Sequence, residues 1–252
     1  MDEIVCSPQR GVILVTGASS GVGAAVARGL RGLVSSSEGP FANHELVLLG
    51  RSDEKLATLR DELGRAGCDV ITHAGDISDP NHIESVLSPI MAGERRLSVV
   101  IHCAGVGHFG EIGETGLDEI AEMIATNVSG TALLLRSVIP FLKKQRGGHL
   151  VVITSDVARR PLEGGSVYSA SKFAQRSLVA SIRKEVLSYG VKVSEVMPGL
   201  IDTNFHALPS GSAAHQDWLR PEDVAWWIQM IVSAPSHVVV DELMIHPLSQ
   251  RY

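Results

Sequence analysis

Two residues of this chain have the types and the spacing that acid–base chemistry requires, and a serine lies upstream of them. Tyr168 and Lys172 are four residues apart, so on a helix their side chains share one face, one turn apart. Ser155 follows an apolar run, 150–153, that is typical of a strand. A free phenol titrates near ~10, and a neighbouring ammonium favours the phenolate. The Tyr–Lys pair predicts proton transfer, although such a pair at this spacing is also common on exposed helix surfaces.

A second candidate site lies near the start of the chain. The β-branched and aliphatic run 12–15 leads into a glycine-rich turn, and an alanine-rich helical pattern covers 24–33. Glycines let the backbone approach a pyrophosphate, whose charge is met by the helix N-terminus. The alternative is a turn selected for tight packing. The predicted cofactor-binding residues here are Gly17, Ser19, Ser20, Gly21, Val22 and Gly23.

The end of the second predicted strand indicates which dinucleotide binds. An acidic residue at this point would accept hydrogen bonds from the adenosine ribose 2′-hydroxyl and would repel a 2′-phosphate. This chain has Gly50 there, followed by Arg51 and Ser52. A guanidinium suits a phosphate, so the pattern predicts NADP(H), with Arg51 and Ser52 among the cofactor-binding residues. Arg51 as a solvated loop cation is the alternative.

Composition excludes several classes of protein. The chain has 252 residues, of which 44% are hydrophobic and only 4% aromatic, which favours the aliphatic interior of a buried parallel sheet. A formal charge of −6 argues against a nucleic-acid partner. Three scattered cysteines suit neither a disulfide framework nor a zinc site, so no metal is expected. With no signal-peptide pattern and no apolar run near the ~18 residues of a membrane helix, we expect a cytoplasmic protein without membrane contacts.

Strand and helix patterns alternate along the whole chain. This alternation predicts a single α/β domain over 1–252, with a doubly wound parallel sheet of about seven strands and helices on both faces. A polar stretch near 203–220 predicts a small lid over the substrate. The predicted helices cover residues 24–33, 53–66, 80–91, 117–146, 166–189 and 221–231, and the predicted strands cover 12–15, 45–49, 70–73, 97–102, 150–153, 191–196 and 238–245. Asn127, Gly130 and Pro140 predict a kink, or two helices, within 117–146.

Taken in order, these motifs resemble the short-chain dehydrogenase/reductase family over essentially the whole chain. The resemblance rests on Thr16-Gly17-x-x-x-Gly21-x-Gly23, Asp76, Ala104-Gly105, Asn127, Ser155, Tyr168-x-x-x-Lys172 and Pro198-Gly199. It implies a Rossmann-fold, NAD(P)-dependent oxidoreductase whose catalytic residues are Asn127, Ser155, Tyr168 and Lys172. It also implies cofactor contacts at Asp76, Ile77, Cys103, Ala104, Gly105, Asn127, Tyr168, Lys172, Pro198, Gly199, Ile201 and Thr203. The family further implies a homodimer or homotetramer formed through helices 117–146 and 166–190.

Within the family the chain looks like the bacterial sepiapterin reductase group, on stretches such as 105–110, 171–176, 220–224 and 239–242. The closing 247–250 is also similar to the serine-type hydroxy-acid and clavulanate dehydrogenase groups. The implied reaction is NADPH-dependent reduction of a small polar ketone, with a sepiapterin-like pterin as the first candidate. A hydroxy-acid dehydrogenase and a non-catalytic dinucleotide-binding regulator are the alternatives. The expected substrate contacts are Val106, Phe109, Ser155, Asp156 and Phe205.

The resemblance assigns a part to each catalytic residue. Lys172 would lower the pKa of Tyr168, the proton donor, and Ser155 would bind the substrate oxygen. Asn127 would hold a water that connects Lys172 to solvent. The chain departs from the family pattern at His102-Cys103, where Asn-Asn is usual and where we expect strand-end packing rather than a metal pair. Asp156, directly after Ser155, is also unusual.

Overall fold

The protein is a seven-stranded parallel sheet between two layers of helices. The structure is a computed structural model that describes residues 11–93, 95–205 and 209–251. The strands are β1 (Gly11–Thr16), β2 (Glu45–Gly50), β3 (Asp69–Ala74), β4 (Arg96–His102), β5 (His149–Ile153), β6 (Lys192–Pro198) and β7 (Glu242–Ile245). Their order in the sheet is β3-β2-β1-β4-β5-β6-β7, with every pairing parallel. This confirms the predicted doubly wound fold.

Within the described residues, seven α-helices cover the two faces of this sheet. They are α1 (Gly21–Val34), α2 (Asp53–Arg65), α3 (Pro80–Ala92), α4 (Leu117–Met123), α5 (Thr131–Gln145), α6 (Ser166–Val186) and α7 (Pro221–Val232). Aliphatic side chains of α1, α2 and α7 pack on one face, and those of α3, α5 and α6 pack on the other. β1, β2 and β5 are buried along their whole length, because both of their faces are covered.

The strand register brings the carboxyl ends of the central strands together. Thr16 pairs with Leu49 of β2 on one side and with His102 of β4 on the other, and His102 pairs in turn with Val152 of β5. The connections from β1 and from β4 leave in opposite directions along the sheet. A crevice opens at such a switch point, where open α/β sheets bind their ligands.

The predicted break in 117–146 is a π-helical segment, Ile124–Gly130, between α4 and α5. Asn127 lies in its middle and is fully buried. By length and hydropathy the combined stretch Leu117–Gln145 is long enough to cross a bilayer, which the sequence pattern did not predict. In the structure α5 packs against α3 and α6 and forms part of one core layer. The α5 part of the stretch therefore has the contacts of a core helix.

Two boundaries near the C-terminal end differ from the prediction. β7 covers only Glu242–Ile245 instead of 238–245, and Val238 and Val239 before it are exposed. β7 is an edge strand with one neighbour, so only the residues that pair with β6 are held in the sheet. α6 ends at Val186 rather than at 189, because a short 3-10 turn, Leu187–Tyr189, follows it.

Candidate active site

A cavity of about 1120 Å³ lies at the carboxyl ends of the strands. Its lining brings together all but two of the residues predicted from the sequence, namely Gly17, Ser19, Ser20, Gly21, Val22, Gly23, Arg51, Asp76, Ile77, Cys103, Ala104, Gly105, Val106, Phe109, Ser155, Asp156, Tyr168, Lys172, Pro198, Gly199, Ile201, Thr203 and Phe205. Ser52 and Asn127 lie outside the lining. Ser52 caps α2 by accepting a hydrogen bond from the backbone of Lys55.

Tyr168 and Ser155 meet at the floor of this cavity. Tyr168 lies in the first turn of α6 and Ser155 directly follows β5, and both are largely buried. Burial raises the pKa of Tyr168 above its ordinary value; the hydrogen bond with Ser155 opposes that rise, and the charge of Asp156 adds to it. The expectation of a lowered Tyr168 pKa is therefore not met. Tyr168 is a neutral phenol at physiological pH and can act as a proton donor.

Lys172 lies behind Tyr168 and is almost completely buried. Its ammonium is 5.7 Å from the centroid of the Tyr168 ring, and it donates to Gln175 Oε1 at 2.8 Å. Desolvation lowers the pKa of Lys172 to about 8. The side chain that directly anchors this ammonium is Gln175, which the sequence analysis gave no function. Its spacing of three residues from Lys172 on a helix was the available signal.

A chain of neutral hydrogen bonds extends from Gln175 to the end of β1. Gln175 Nε2 donates to Thr131 Oγ1 at 2.8 Å, and Thr131 Oγ1 donates to the backbone oxygen of Asn127 at 2.7 Å. His102 Nε2, 2.8 Å from Thr131 Oγ1, must therefore be the donor. His102 Nδ1 then accepts from Thr16 Oγ1 at 2.7 Å.

This network gives His102 a structural function, in agreement with the expected strand-end packing. Complete burial lowers the pKa of His102 to about 3, so the imidazole stays neutral. Burial likewise raises the pKa of Cys103 to about 12, which keeps it a thiol. Neither side chain carries a charge next to Lys172.

Asn127 braces the loop that follows β4. Its Nδ2 donates to the backbone oxygen of Val106 at 2.8 Å and to Ser171 Oγ at 2.9 Å. Its Oδ1 accepts from the backbone N–H of Val106 at 2.9 Å. Both polar atoms of the side chain are thus engaged with protein groups. The amide fixes the position of residues that line the cavity, and the expected contact of Asn127 with a bound water stays a prediction.

Two aromatic rings, those of Phe109 and Phe205, form the outer wall beside Tyr168. Its ring centroid lies 5.3 Å from that of Phe109 and 5.7 Å from that of Phe205. A side chain at Gly107 would collide with the Phe205 ring, since a Cβ there would lie 2.6 Å from its nearest carbon. Gly107 therefore leaves space for this wall, which presents flat apolar surface above the phenol.

Asp156 and Gln250 lie on the other side of Ser155. Ser155 Oγ donates to Asp156 Oδ1 at 3.1 Å, and Gln250 Nε2 donates to Asp156 Oδ2 at 2.6 Å. Gln250 belongs to the segment after β7, and its Oε1 accepts from the backbone N–H of Leu200 at 2.9 Å. Sequence reasoning did not find Gln250 as a site residue.

The opposite end of the cavity begins at the glycine turn. Gly17 has a φ of +68°, a conformation that favours glycine. A Cβ at Gly50 would lie 2.8 Å from Ser19 Oγ, so the close approach of β2 to this turn excludes any larger residue. The absence of an acid at position 50 is thus a packing requirement of this backbone.

Arg51 lies next to this turn and is largely exposed. Its Nη1 is 2.7 Å from Glu122 Oε1, and the second oxygen of Glu122 is 2.8 Å from His108 Nε2. Partial burial favours a raised pKa for nearby Asp76, but two hydrogen bonds from Ser78 and the charge of Arg51 outweigh it and leave the pKa lowered. The guanidinium therefore provides positive charge at the mouth of the cavity.

The predicted lid is anchored at its base. Asp202 accepts hydrogen bonds from the backbone N–H of Gly211 at 2.9 Å and from His215 Nδ1 at 2.9 Å, and Ile201 pairs with Leu219. Residues 206–208 of the segment near 203–220 lie outside the described residues. The described part forms one rim of the cavity, where Phe205 contacts Tyr168.

Comparisons with known proteins agree with this geometry. The model of the short chain dehydrogenase family matches residues 11–210. An alcohol dehydrogenase from Thermococcus sibiricus, complexed with 5-hydroxy-NADP, superposes with a TM-score of 0.86 at 30% identity, covering 97% of this chain and 99% of that one. A serine dehydrogenase in its closed form, complexed with NADP+, superposes with a TM-score of 0.84 at 26% identity, covering 96% of both chains.

A curated relative is longer than this chain. Glycine betaine reductase ATRR of Emericella nidulans is 32% identical over 244 residues, covering 94% of this chain. The chain spans only 18% of that protein's length. Together the family match and the site geometry show that the chain belongs to the short-chain dehydrogenase family and is an oxidoreductase.

Proposed function

We propose that this protein is an NADPH-dependent carbonyl reductase that acts on a small polar ketone. The observation that carries this proposal is the convergence of Ser155, Tyr168 and Lys172 at the floor of a cavity that begins at the glycine turn. A cavity of about 1120 Å³ has room for a dinucleotide and a small substrate together. A regulator that only binds a dinucleotide would not need this buried trio.

In the proposed mechanism, NADPH supplies the hydride when it is bound. Tyr168 is held as a neutral phenol by its raised pKa, so it can donate its proton to the developing alkoxide. Ser155 turns its hydroxyl from Asp156 to the same oxygen and stabilises the charge that forms there. Lys172 sits behind the phenol, where its ammonium favours the phenolate produced by proton transfer.

The cofactor preference rests on the end of β2. Gly50 leaves no space for an acidic side chain beside Ser19, so no carboxylate at that position repels a 2′-phosphate. Arg51 adds a guanidinium at the cavity mouth, and Lys55 lines the same end. NADPH is therefore the cofactor these residues fit.

Replacing Arg51 by alanine tests this preference. A charge-assisted hydrogen bond to phosphate contributes about 1.5–3 kcal/mol, so Arg51→Ala is expected to weaken NADPH binding about tenfold or more and to leave NADH binding unchanged. Fluorescence titration with both cofactors measures the two dissociation constants. Arg60→Ala, which removes an exposed arginine of α2 paired with Asp61, is the matched control. An unchanged NADPH/NADH ratio in Arg51→Ala would show that Arg51 does not bind the phosphate.

For the substrate we propose a flat, uncharged ketone of the pterin type. The wall formed by Phe109 and Phe205 beside Tyr168 offers aromatic surface to such a ring. A serine-type hydroxy acid is the second candidate, because the chain superposes on a serine dehydrogenase. Turnover of NADPH with sepiapterin and of NADP+ with serine separates the two. The proposal fails if the protein binds NADPH but oxidises it with none of a panel of sepiapterin, diketones and simple ketones.

A further inference from the structure

The carboxylate of Asp156 is a buried negative charge at the reacting end of the cavity. Only 7% of the residue is exposed, and it lines the cavity directly after Ser155. Its two oxygens accept hydrogen bonds from the hydroxyl of Ser155 and the amide of Gln250. Both of these partners are neutral, so neither cancels the charge. Such a group acts on any substrate that approaches Ser155.

Gln250 fixes the position of this carboxylate. Its Oε1 must face the backbone N–H of Leu200, which is a donor, and its Nε2 is thereby directed to Asp156. A side chain at Gly199 would collide with the Gln250 amide, so the glycine after β6 provides the space for it. The segment after β7 thus connects the Pro198–Gly199 loop to Asp156.

The hydrogen bonds around Ser155 indicate which chemical group a substrate must carry. The hydroxyl has one proton, which it gives to Asp156 Oδ1, and its oxygen lies 3.3 Å from the donating backbone N–H of Val157. When that proton turns to a substrate carbonyl oxygen, Asp156 Oδ1 loses its donor. A buried carboxylate oxygen without a donor is costly, so a donor from the substrate restores the interaction at Oδ1.

We propose that Asp156 determines the substrate class, selecting carbonyl compounds that carry a hydroxyl or amino group on the carbon next to the carbonyl over 2-keto acids. This inference rests on the proposed carbonyl reductase function. A donor on the adjacent carbon can replace the Ser155 proton at Oδ1, whereas a carboxylate there would face Asp156 with like charge. Gln250 is the positioning residue that holds the carboxylate toward the carbon next to the substrate carbonyl.

Two exposed arginines near the cavity do not reverse this selection. Arg160 and Arg251 also line it, but both are exposed, so water and salt screen their attraction for an anionic substrate. Asp156 is buried, and its field is screened less. The charge of Asp156 also contributes to the raised pKa of Tyr168, which shows that its field reaches the phenol.

The test uses three matched substrates with NADPH: hydroxyacetone, acetone and pyruvate. These carry, next to the carbonyl, a hydroxymethyl group, a methyl group and a carboxylate. For the unmodified protein we expect kcat/KM to be highest for hydroxyacetone. Asp156→Asn is expected to lower the hydroxyacetone/pyruvate ratio of kcat/KM about tenfold or more, and Gln250→Leu to lower it by a smaller factor. Asp118→Asn removes an exposed carboxylate of α4 and is expected to leave the ratio unchanged.

The outcomes separate the inference from the function on which it rests. If the unmodified protein oxidises NADPH neither with any of the three compounds nor with sepiapterin or a diketone, the carbonyl reductase proposal and this inference both fail. If it reduces hydroxyacetone but the ratio stays the same in Asp156→Asn and Gln250→Leu, the inference alone is overturned. Thermal melting and NADPH titration establish that each variant is folded. Should Asp156→Asn not fold, the ratio in Gln250→Leu decides.

Discussion

The two groups on either side of Tyr168 are held by surroundings of different chemistry. Lys172 is anchored by Gln175, Thr131 and His102, a chain of neutral hydrogen bonds inside the sheet and helix core. Ser155 is instead hydrogen-bonded to a carboxylate, which is positioned by the chain segment after the last strand. The first arrangement depends on regular elements, and the second depends on loops.

The two surroundings contribute differently to the function that we propose. The neutral chain behind Lys172 is fully buried. In the mechanism that we propose, it therefore serves the proton chemistry that every substrate shares. The Asp156 side faces the cavity and is built from loops. Loops tolerate changes of sequence without disturbing the core. In our proposal, reaction type and substrate class are thus carried by different regions of one fold.

The pH dependence of stability tests the Lys172 side with the largest expected effect. The folded pKa of about 8 lies below the ordinary 10.5, so between these values the unfolded chain binds a proton that the folded chain lacks. Stability due to Lys172 therefore rises with pH over this window, by about 3 kcal/mol in total. Urea unfolding at about pH 7 and about pH 10, compared with Lys172→Met, isolates this contribution. A difference between the two proteins that does not change with pH would show that Lys172 is well solvated.

Substitutions at Gln175 test the same region through activity. Gln175→Leu removes the acceptor for the Lys172 ammonium, so the pKa of Lys172 falls and the alkaline limb of the pH–rate profile moves to lower pH. We expect the rate to fall about tenfold. Gln175→Glu places a carboxylate there and is expected to move the limb to higher pH. Profiles of kcat/KM that coincide for all three proteins would remove Gln175 from the mechanism.

Most of the fold followed from local sequence patterns. All seven strands were predicted, because buried parallel strands are short aliphatic runs and their helices are amphipathic. The last strand was misplaced by four residues at its start, since Val238 and Val239 are as aliphatic as β7 itself. The start of β7 is set by its pairing with β6, which is a long-range contact.

The site residues also divide into those that local sequence predicted and those that depend on long-range contacts. Tyr168 and Lys172 share one helix, so their spacing predicted their proximity, and Ser155 followed from the end of a strand. Gln250 meets Asp156 only because the chain returns across the sheet after β7. The direction of the Tyr168 pKa shift also depends on burial, which a spacing of residues does not reveal.

Turnover by Tyr168→Phe tests the central claim most directly. The substitution removes the phenolic proton but keeps the ring between Phe109 and Phe205, so the fold and NADPH binding should persist. Proton transfer by a positioned acid contributes about 10²–10⁴-fold, and we expect kcat to fall by that factor while the NADPH dissociation constant changes less than about threefold. A variant that stays folded, binds NADPH and keeps most of its turnover would contradict Tyr168 as the proton donor.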